Sequence, residues 1–161
     1  MLKMCSECYS IFSINKFGNT SDSLTYCPMT DCDGELFETE EGIAEIIQIL
    51  NRKGYYTGFS CSGHIDKTYV DTYIAFETTL PEKALSSLPE SFSVEVATAF
   101  DKNRFQFKDG ERHVVRGDSP SKEDNNVLSR MYYKHRNLEA LYIWAMNLDD
   151  LNKGGEEWWV P

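Results

Sequence analysis

Four of the five cysteines in this chain occur as two close pairs near its start, an arrangement typical of a metal site. Cys5 and Cys8 have two residues between them, Cys27 and Cys32 have four, and eighteen residues separate the pairs. Zinc prefers four thiolates at the corners of a tetrahedron, and one tight turn supplies two of them from each pair. The neighbouring residues are mostly polar, which disfavours the alternative that the thiols pack as small apolar side chains. The sequence therefore predicts a closed, structural Zn2+ site formed by Cys5, Cys8, Cys27 and Cys32.

A second group of chemically active side chains lies in the segment Ser60-Cys61-Ser62-Gly63-His64, directly after a predicted strand. Successive backbone N–H groups beside a glycine form anion-binding concavities, and hydroxyls and an imidazole add further donors. This chemistry suits a phosphate or a carboxylate. Two other interpretations stay open. In one, Cys61 is a nucleophile with His64 as its base; in the other, the segment is a hairpin turn with Cys61 buried and Gly63 at a positive φ.

Basic residues are concentrated in the later part of the chain. Residues 101–136 hold nine of the sixteen lysines and arginines, against six acidic residues. Arg104, Arg112 and Arg116 fall on predicted strands, and alternation places Arg112 and Arg116 on one face. Two arginines on one sheet face suit bidentate recognition of phosphate. The alternative is a solvated face of mixed charge.

The composition of the whole chain argues against several functional classes. The formal net charge over 161 residues is −10, which opposes binding to a nucleic-acid backbone. No stretch approaches the ~20 apolar residues that span a bilayer, and no apolar signal segment precedes Cys5. Cysteine pairs without a signal segment favour the cytoplasm, where thiols stay reduced. We therefore expect a cytoplasmic protein with neither a membrane nor a nucleic-acid partner.

The order of the predicted helices and strands that position these groups indicates an α+β fold. Residues 1–38 form the zinc ribbon, and residues 39–161 form a ligand-binding domain with a mainly antiparallel sheet and packed helices. Its first helix is predicted to be capped by Thr39 and to stop at Gly54. The predicted elements that follow are strands over 55–60 and 69–76, a short helix over 81–88, three strands near 92–96, 105–107 and 114–115 with a turn at 108–110, and a long helix over about 122–152. Drifting apolar spacing at 133–137 indicates a bend in that helix.

The end of the chain adds a hypothesis about partners. The last residues include Trp158 and Trp159, and a tail this apolar is expected to be covered. It would dock on the core or on a second copy of the chain, giving a homo-oligomer. A related alternative function is a protein-interaction module in which the ribbon and this tail are the contact surfaces.

Part of the chain also resembles a known family. The matching segments are Ile49-Leu50-Asn51, Tyr55-Tyr56-Thr57, Ser60-Cys61-Ser62-Gly63 and Ile65. Over residues 43–76 the chain resembles the N-terminal signature of the wybutosine-synthesis tRNA methyltransferase family, in which a helix ending in Leu-Asn leads to an aromatic-Thr strand and a Ser-Cys-Ser-Gly-Arg loop. His64 stands where that family has arginine, and the family's downstream glycine-rich segment has no counterpart here. The resemblance implies a shared fold unit and, as an alternative function, an RNA-modifying enzyme that uses S-adenosylmethionine.

The leading hypothesis is a binding protein, rather than an enzyme, for a small anionic ligand of the nucleotide type. The loop would donate to phosphate, His64 and an arginine would neutralise it, and a tyrosine would stack on the base. The candidate ligand-binding residues are Tyr56, Thr57, Ser60, Cys61, Ser62, Gly63, His64, Arg104, Arg112 and Arg116. In size and acidity the chain also resembles small cytosolic proteins of bacteriophages, several of which inhibit host defence. Such a phage protein would sequester a host signalling nucleotide in the host cytoplasm.

Overall fold

A computed structural model describes residues 2–13, 24–101 and 106–153, and its mixture of antiparallel sheets and helices confirms the α+β class. The elements, in chain order, are β1 (Leu2–Cys5), β2 (Ile11–Ser13), β3 (Leu36–Thr39), α1 (Ala44–Arg52), β4 (Thr57–Cys61), β5 (Tyr73–Phe76), α2 (Glu82–Ser86), β6 (Phe92–Asp101), β7 (Gln106–Gly117), α3 (Val127–Asn147) and a 3-10 turn (Leu151–Lys153). Within these described residues, no helix combines the length and the apolar character that a membrane crossing requires.

The first three strands form a small antiparallel sheet with the order β2-β1-β3. This sheet packs on α1, because Met4 of β1 is fully buried in the same core as the apolar side chains of that helix. Polar contacts reinforce the packing: the Gln48 side chain donates to the Tyr9 carbonyl at 2.8 Å, and Arg52 Nε donates to the Cys8 carbonyl at 3.3 Å. The cysteine-bearing segment is thus braced against the first helix.

The predicted start of α1 is wrong by several residues, whereas its end is as expected. Thr39 is the last residue of β3 and pairs with Leu2, so the strand ladder occupies the position assigned to the cap. The residue before the helix is Ile43, which makes no side-chain cap bond. Gly54 has φ +94°, as a left-handed helix stop requires.

The larger sheet is antiparallel throughout, with the order β4-β5-β7-β6. Its second half is one long hairpin of β6 and β7, so the prediction of three strands here is wrong. The predicted turn at 108–110 lies inside β7, where Gly110 has φ +114° without interrupting the strand. Pairing with β6 continues past this glycine to Gln106, which a local turn pattern does not reveal. Arg104 lies outside the described residues.

The C-terminal helix α3 is shorter than predicted and runs without interruption through residues 133–137. The Asn126 side chain caps it by accepting a hydrogen bond from Ser129 N at 2.9 Å. The drift in apolar spacing has a polar cause: Asn137 is fully buried and donates to the Asp118 carbonyl at 2.9 Å. The Trp158–Trp159 tail lies outside the described residues.

The two faces of the larger sheet have different surroundings. Ile74, Phe76 and Val115 turn inward and share the main core with Leu141 and Trp144 of α3. Side chains one position along the same strands turn the other way. We call this the outer face; from β4, β5 and β7 it carries Phe59, Cys61, Tyr73, Ala75, Arg112, Val114 and Arg116.

Candidate metal centre and candidate anion site

The four paired cysteines come together as the sequence predicts. All four sulfurs lie within 4.8 Å of one another, with Cys5 Sγ 3.5 Å from Cys32 Sγ and Cys8 Sγ 3.7 Å from Cys27 Sγ. A tetrahedron with metal–sulfur bonds of about 2.3 Å has edges of about 3.8 Å, close to these separations. All are free thiols rather than disulfides. The cluster is therefore positioned to hold a metal ion.

Backbone N–H groups are arranged around each sulfur in the same way. The Glu7 N–H donates to Cys5 Sγ at 3.4 Å, two positions along the chain. The other three sulfurs each face the N–H of the residue two positions later, in the pairs Cys8–Ser10, Cys27–Met29 and Cys32–Gly34. Four thiolates on one divalent cation leave two negative charges, which such donors offset. This repeated contact matches what a tetrathiolate site needs.

The thiols of this cluster have unequal proton affinities. The Ser10 hydroxyl beside Cys8 lowers the pKa of that thiol to about 6. Burial raises the pKa of the Cys27 thiol to about 12. Because thiolates are the ligand form, a metal must displace the proton that Cys27 holds at neutral pH.

Gly34 provides the space in which the cluster forms. A Cβ at this position would lie 2.4 Å from Cys5 Sγ and 3.1 Å from the Glu7 backbone nitrogen. The Gly34 carbonyl also accepts a hydrogen bond from Cys27 N at 2.8 Å, which joins the second cysteine pair to this strand end. The close approach of Gly34 to Cys5 joins residues 29 positions apart and is visible only in three dimensions.

The N–H groups of the predicted anion loop already have acceptors within the chain. Ser62 N donates to Glu40 Oε2 at 3.0 Å, and the Ser62 hydroxyl donates to the same oxygen. The Gly63 N–H bonds to the Cys61 sulfur, and the His64 N–H donates to a carbonyl of the following loop at 2.5 Å. The loop thus does bind a carboxylate, but it is that of Glu40. Its donors are not free for an external phosphate.

Other predicted donors near the loop serve structural contacts. Ser60 pairs with Ile74 and lies on the inner side of the sheet, opposite to Cys61. Thr57 N and Oγ1 both bond to the Asn51 side chain of α1, at 3.1 and 2.9 Å. Tyr56, in contrast, is 47% exposed. Of this set, only Tyr56 retains an exposed side chain.

Cys61 is placed as the hairpin interpretation expects. It is buried, and the next glycine, Gly63, has φ +110°. Cys61 Sγ lies 3.5 Å from His64 Nε2, so the two groups do meet. Burial nevertheless raises the pKa of the Cys61 thiol, and the nearby carboxylates of Glu40 and Asp71 act in the same direction. The environment therefore disfavours the thiolate that a nucleophile requires.

The strand register places Cys61, at the start of this loop, in the same cross-strand row as the predicted binding residue Arg116. Cys61 pairs with Tyr73, and Tyr73 pairs with Arg116, so all three side chains share the outer face. Neighbouring strands lie ~4.8 Å apart, which puts Cys61 and Arg116 about 10 Å apart across the sheet. The Arg116 guanidinium lies 4.9 Å from the centre of the Tyr73 ring. It also forms ion pairs with Asp71 and, at 3.5 Å, with Glu95.

Arg112 occupies the same face but has a different environment. Only 8% of the residue is exposed, and its buried Nε has no hydrogen-bond partner. Its side chain reaches towards β4, where a Cβ on Gly58 would lie 3.6 Å from Arg112 Nη1. Among the described residues, no carboxylate forms an ion pair with Arg112. It is the buried cation whose charge is left unneutralised there.

Comparison with known proteins identifies no relative of this chain. No family model, no curated protein and no solved structure matches the chain. The resemblance to the wybutosine-synthesis methyltransferases therefore stays a prediction, based on the sequence motifs of residues 43–76.

Three residues of the outer face and loop were not anticipated from the sequence. Glu40 was not assigned to the site, yet its carboxylate accepts hydrogen bonds from the Ser62 N–H and hydroxyl. Asp71, at φ 57°, pairs with Arg116, and Gly58 lies beside the Arg112 guanidinium. No local pattern signals these contacts, because each depends on which strands become neighbours.

Proposed function

We propose that this chain is a binding protein for a small phosphate-bearing ligand of the nucleotide type, held on the outer face of the larger sheet. The observation that carries the proposal is Arg112, a buried cation whose Nε lacks a partner. An unsatisfied buried donor costs about 1–3 kcal/mol, and more for a charged group. A bound anion would recover that free energy, because it supplies both the acceptor and the countercharge.

The spacing of the two arginines fits a ligand larger than a single phosphate. Arg112 and Arg116 are four residues apart on β7, which is about 13 Å along an extended strand. A lone phosphate does not span that distance, whereas a nucleotide with its base and phosphates does. Arg112 would take the phosphate, since Asp71 and Glu95 already offset the charge of Arg116.

In this proposal, fewer groups of the Ser60–His64 loop contact the ligand than the sequence predicts. Its N–H groups bond within the chain, so the loop would contribute through the His64 imidazole at the edge of the outer face. Tyr73, beneath Arg116, would be the aromatic contact for a base. The proposed binding residues are therefore Arg112, Arg116, Tyr73 and His64.

We also propose that the metal of the four-cysteine cluster is Zn2+ and that it is structural. Four thiolates in a tetrahedral array favour zinc, with iron as the main competitor. A site closed by four protein ligands leaves no position for a substrate. Native mass spectrometry of the purified chain should show one zinc ion per chain. A coloured, iron-loaded protein after expression with both metals would contradict this assignment.

A thermal-shift screen of the zinc-loaded protein tests the ligand proposal. We expect a mono-, di- or cyclic nucleotide to raise Tm by about 5–10 °C at a hundred times its Kd. Arg112→Met should abolish that shift while keeping the protein folded, because an apolar residue of similar length replaces an unpaired buried charge. Lys122→Met removes one positive charge from the loop before α3 and is the matched control. No shift with any nucleotide, or an equal shift in Arg112→Met, would contradict the proposal.

The same screen separates the alternative functions. An S-adenosylmethionine-dependent enzyme must bind that cofactor, so calorimetry with it should show heat of binding if the family resemblance extends to activity. A cytoplasmic phage protein that sequesters a host signalling nucleotide should prefer a cyclic nucleotide over AMP and release it unchanged. Hydrolysis or transfer of the ligand would instead make the chain an enzyme.

A further inference from the structure

Helix α3 is apolar on two sides, and only one of them packs on the core. Leu141, Trp144 and Ala145 are buried against the sheet and α1. On the opposite side six large apolar or aromatic residues are 40–77% exposed: Leu128, Met131, Tyr132, Tyr142, Ile143 and Met146. A helix that is apolar all round is normally covered on both sides. We call this exposed set, together with His135 and Glu139, the α3 stripe.

The α3 stripe has an internal symmetry. At 100° per residue its members fall within an arc of about 120°, and every one is exposed. Members that lie equally far from position 137 on either side have matching chemistry. Tyr132 corresponds to Tyr142 and Leu128 to Met146, while the imidazole of His135 corresponds to the carboxylate of Glu139. Met131 and Ile143 form the fourth such pair. Apolar residues therefore stand at both ends, and an imidazole and a carboxylate stand at the centre.

This symmetry is what a two-fold interface requires. In an antiparallel pair of identical helices crossing at residue 137, each member of the stripe meets its counterpart on the other copy. His135 of each copy would face Glu139 of the other. Within one chain these side chains are 3.9 Å apart and 82% and 65% exposed, so both are available. The tyrosines and the aliphatic residues would close over each side of this centre.

We propose that the α3 stripe is a self-complementary surface through which two copies of this chain form an antiparallel dimer. The stripe is about 27 Å long, from Leu128 to Met146, which places a single helix pair at the small end of stable interfaces. A dimer with a micromolar dissociation constant is therefore expected. This surface is separate from the outer face of the sheet, because it lies on the side of α3 that faces away from the core.

Sedimentation of the zinc-loaded full chain from about 1 to 200 µM tests the proposal, since this range brackets a micromolar constant. We expect a monomer–dimer equilibrium. Ile143→Lys should raise the dimer Kd at least tenfold. Val96→Lys, which changes a similarly exposed aliphatic residue on β6 (59% against 53%), should leave it unchanged. A wild-type chain that stays monomeric at 200 µM, or equal effects of the two lysines, would overturn the proposal.

A charge-exchange experiment with two variants tests the antiparallel register of the dimer. His135→Glu places four carboxylates around the axis, and Glu139→Lys places two ammonium groups there with no carboxylate, so each variant alone should be monomeric. Mixed, they should form a heterodimer with about the wild-type Kd, because each variant then meets opposite charges. Failure of the mixture to associate would overturn the antiparallel register.

The chain's own tail is the competing occupant of the stripe. Deleting residues 154–161 should leave the dimer unchanged. If the truncated chain dimerises and the full chain does not, the tail covers the stripe and the proposal fails for the intact protein.

Discussion

Replacing Gly34 by alanine should disrupt metal binding without altering any ligand. The new Cβ would lie 2.4 Å from Cys5 Sγ, more than 1 Å inside the separation of about 3.5–4.0 Å that nonbonded heavy atoms prefer. Metal–sulfur distances tolerate only about 0.2 Å. Cys5 cannot give way by that amount and remain a ligand, and the Glu7 backbone at 3.1 Å blocks movement of the glycine itself. We expect about a hundredfold loss of zinc affinity, or about 2.8 kcal/mol.

Competition with a chromogenic chelator measures this loss, and circular dichroism shows whether the ribbon strands persist. Gly58→Ala is the matched control, because its Cβ would meet its nearest neighbour at an ordinary 3.6 Å. It should bind zinc as the unchanged chain does. A Gly34→Ala protein with zinc affinity within threefold of the original would show that the four sulfurs do not surround the metal as described.

Three further outcomes follow from the structure. Because burial raises the pKa of Cys61, iodoacetamide should label this thiol slowly at neutral pH in the zinc-loaded protein; labelling as fast as a free thiol would restore the nucleophile hypothesis. Gly63→Ala combines φ +110° with a Cβ 2.7 Å from Thr72 Oγ1, so denaturant unfolding should show at least ~2 kcal/mol of destabilisation, and a value below 0.5 kcal/mol would contradict the loop geometry. Asn126→Ala removes the cap of α3 and should cost about 1 kcal/mol, against no change for the exposed Lys122→Ala.

The metal cluster was predictable because its information is local. Two cysteines in a tight turn are already neighbours, and the spacing of Cys27 and Cys32 needs only a second turn to complete the set. The same holds for the Gly54 stop of α1, because glycine readily takes the left-handed conformation that ends a helix. Local information did not suffice everywhere, since Thr39 belongs to β3 rather than to the cap of α1.

What the sequence could not supply depends on contacts between distant segments. The serines of the loop were predicted to bind an external anion, but Glu40, 22 residues earlier, reaches the same donors. Likewise Gly110 has the residue type of a turn, and only its pairing with β6 shows that it belongs to a strand. The alternation of Arg112 and Arg116 was visible in the sequence. The pairing of Tyr73 with Arg116 and the burial of Arg112 were not.

The proposed anion site depends most directly on the unpaired Nε of Arg112. Arginine side-chain 15N–1H spectra of the zinc-loaded protein report on that group during titration with pyrophosphate and with AMP. We predict that the Arg112 Nε–H signal shifts and saturates, and that the Arg130 signal does not, because Arg130 Nε already donates to the Ile65 carbonyl at 2.9 Å. An Arg112 signal that stays in place at saturating concentrations of both compounds would contradict the proposed anion site.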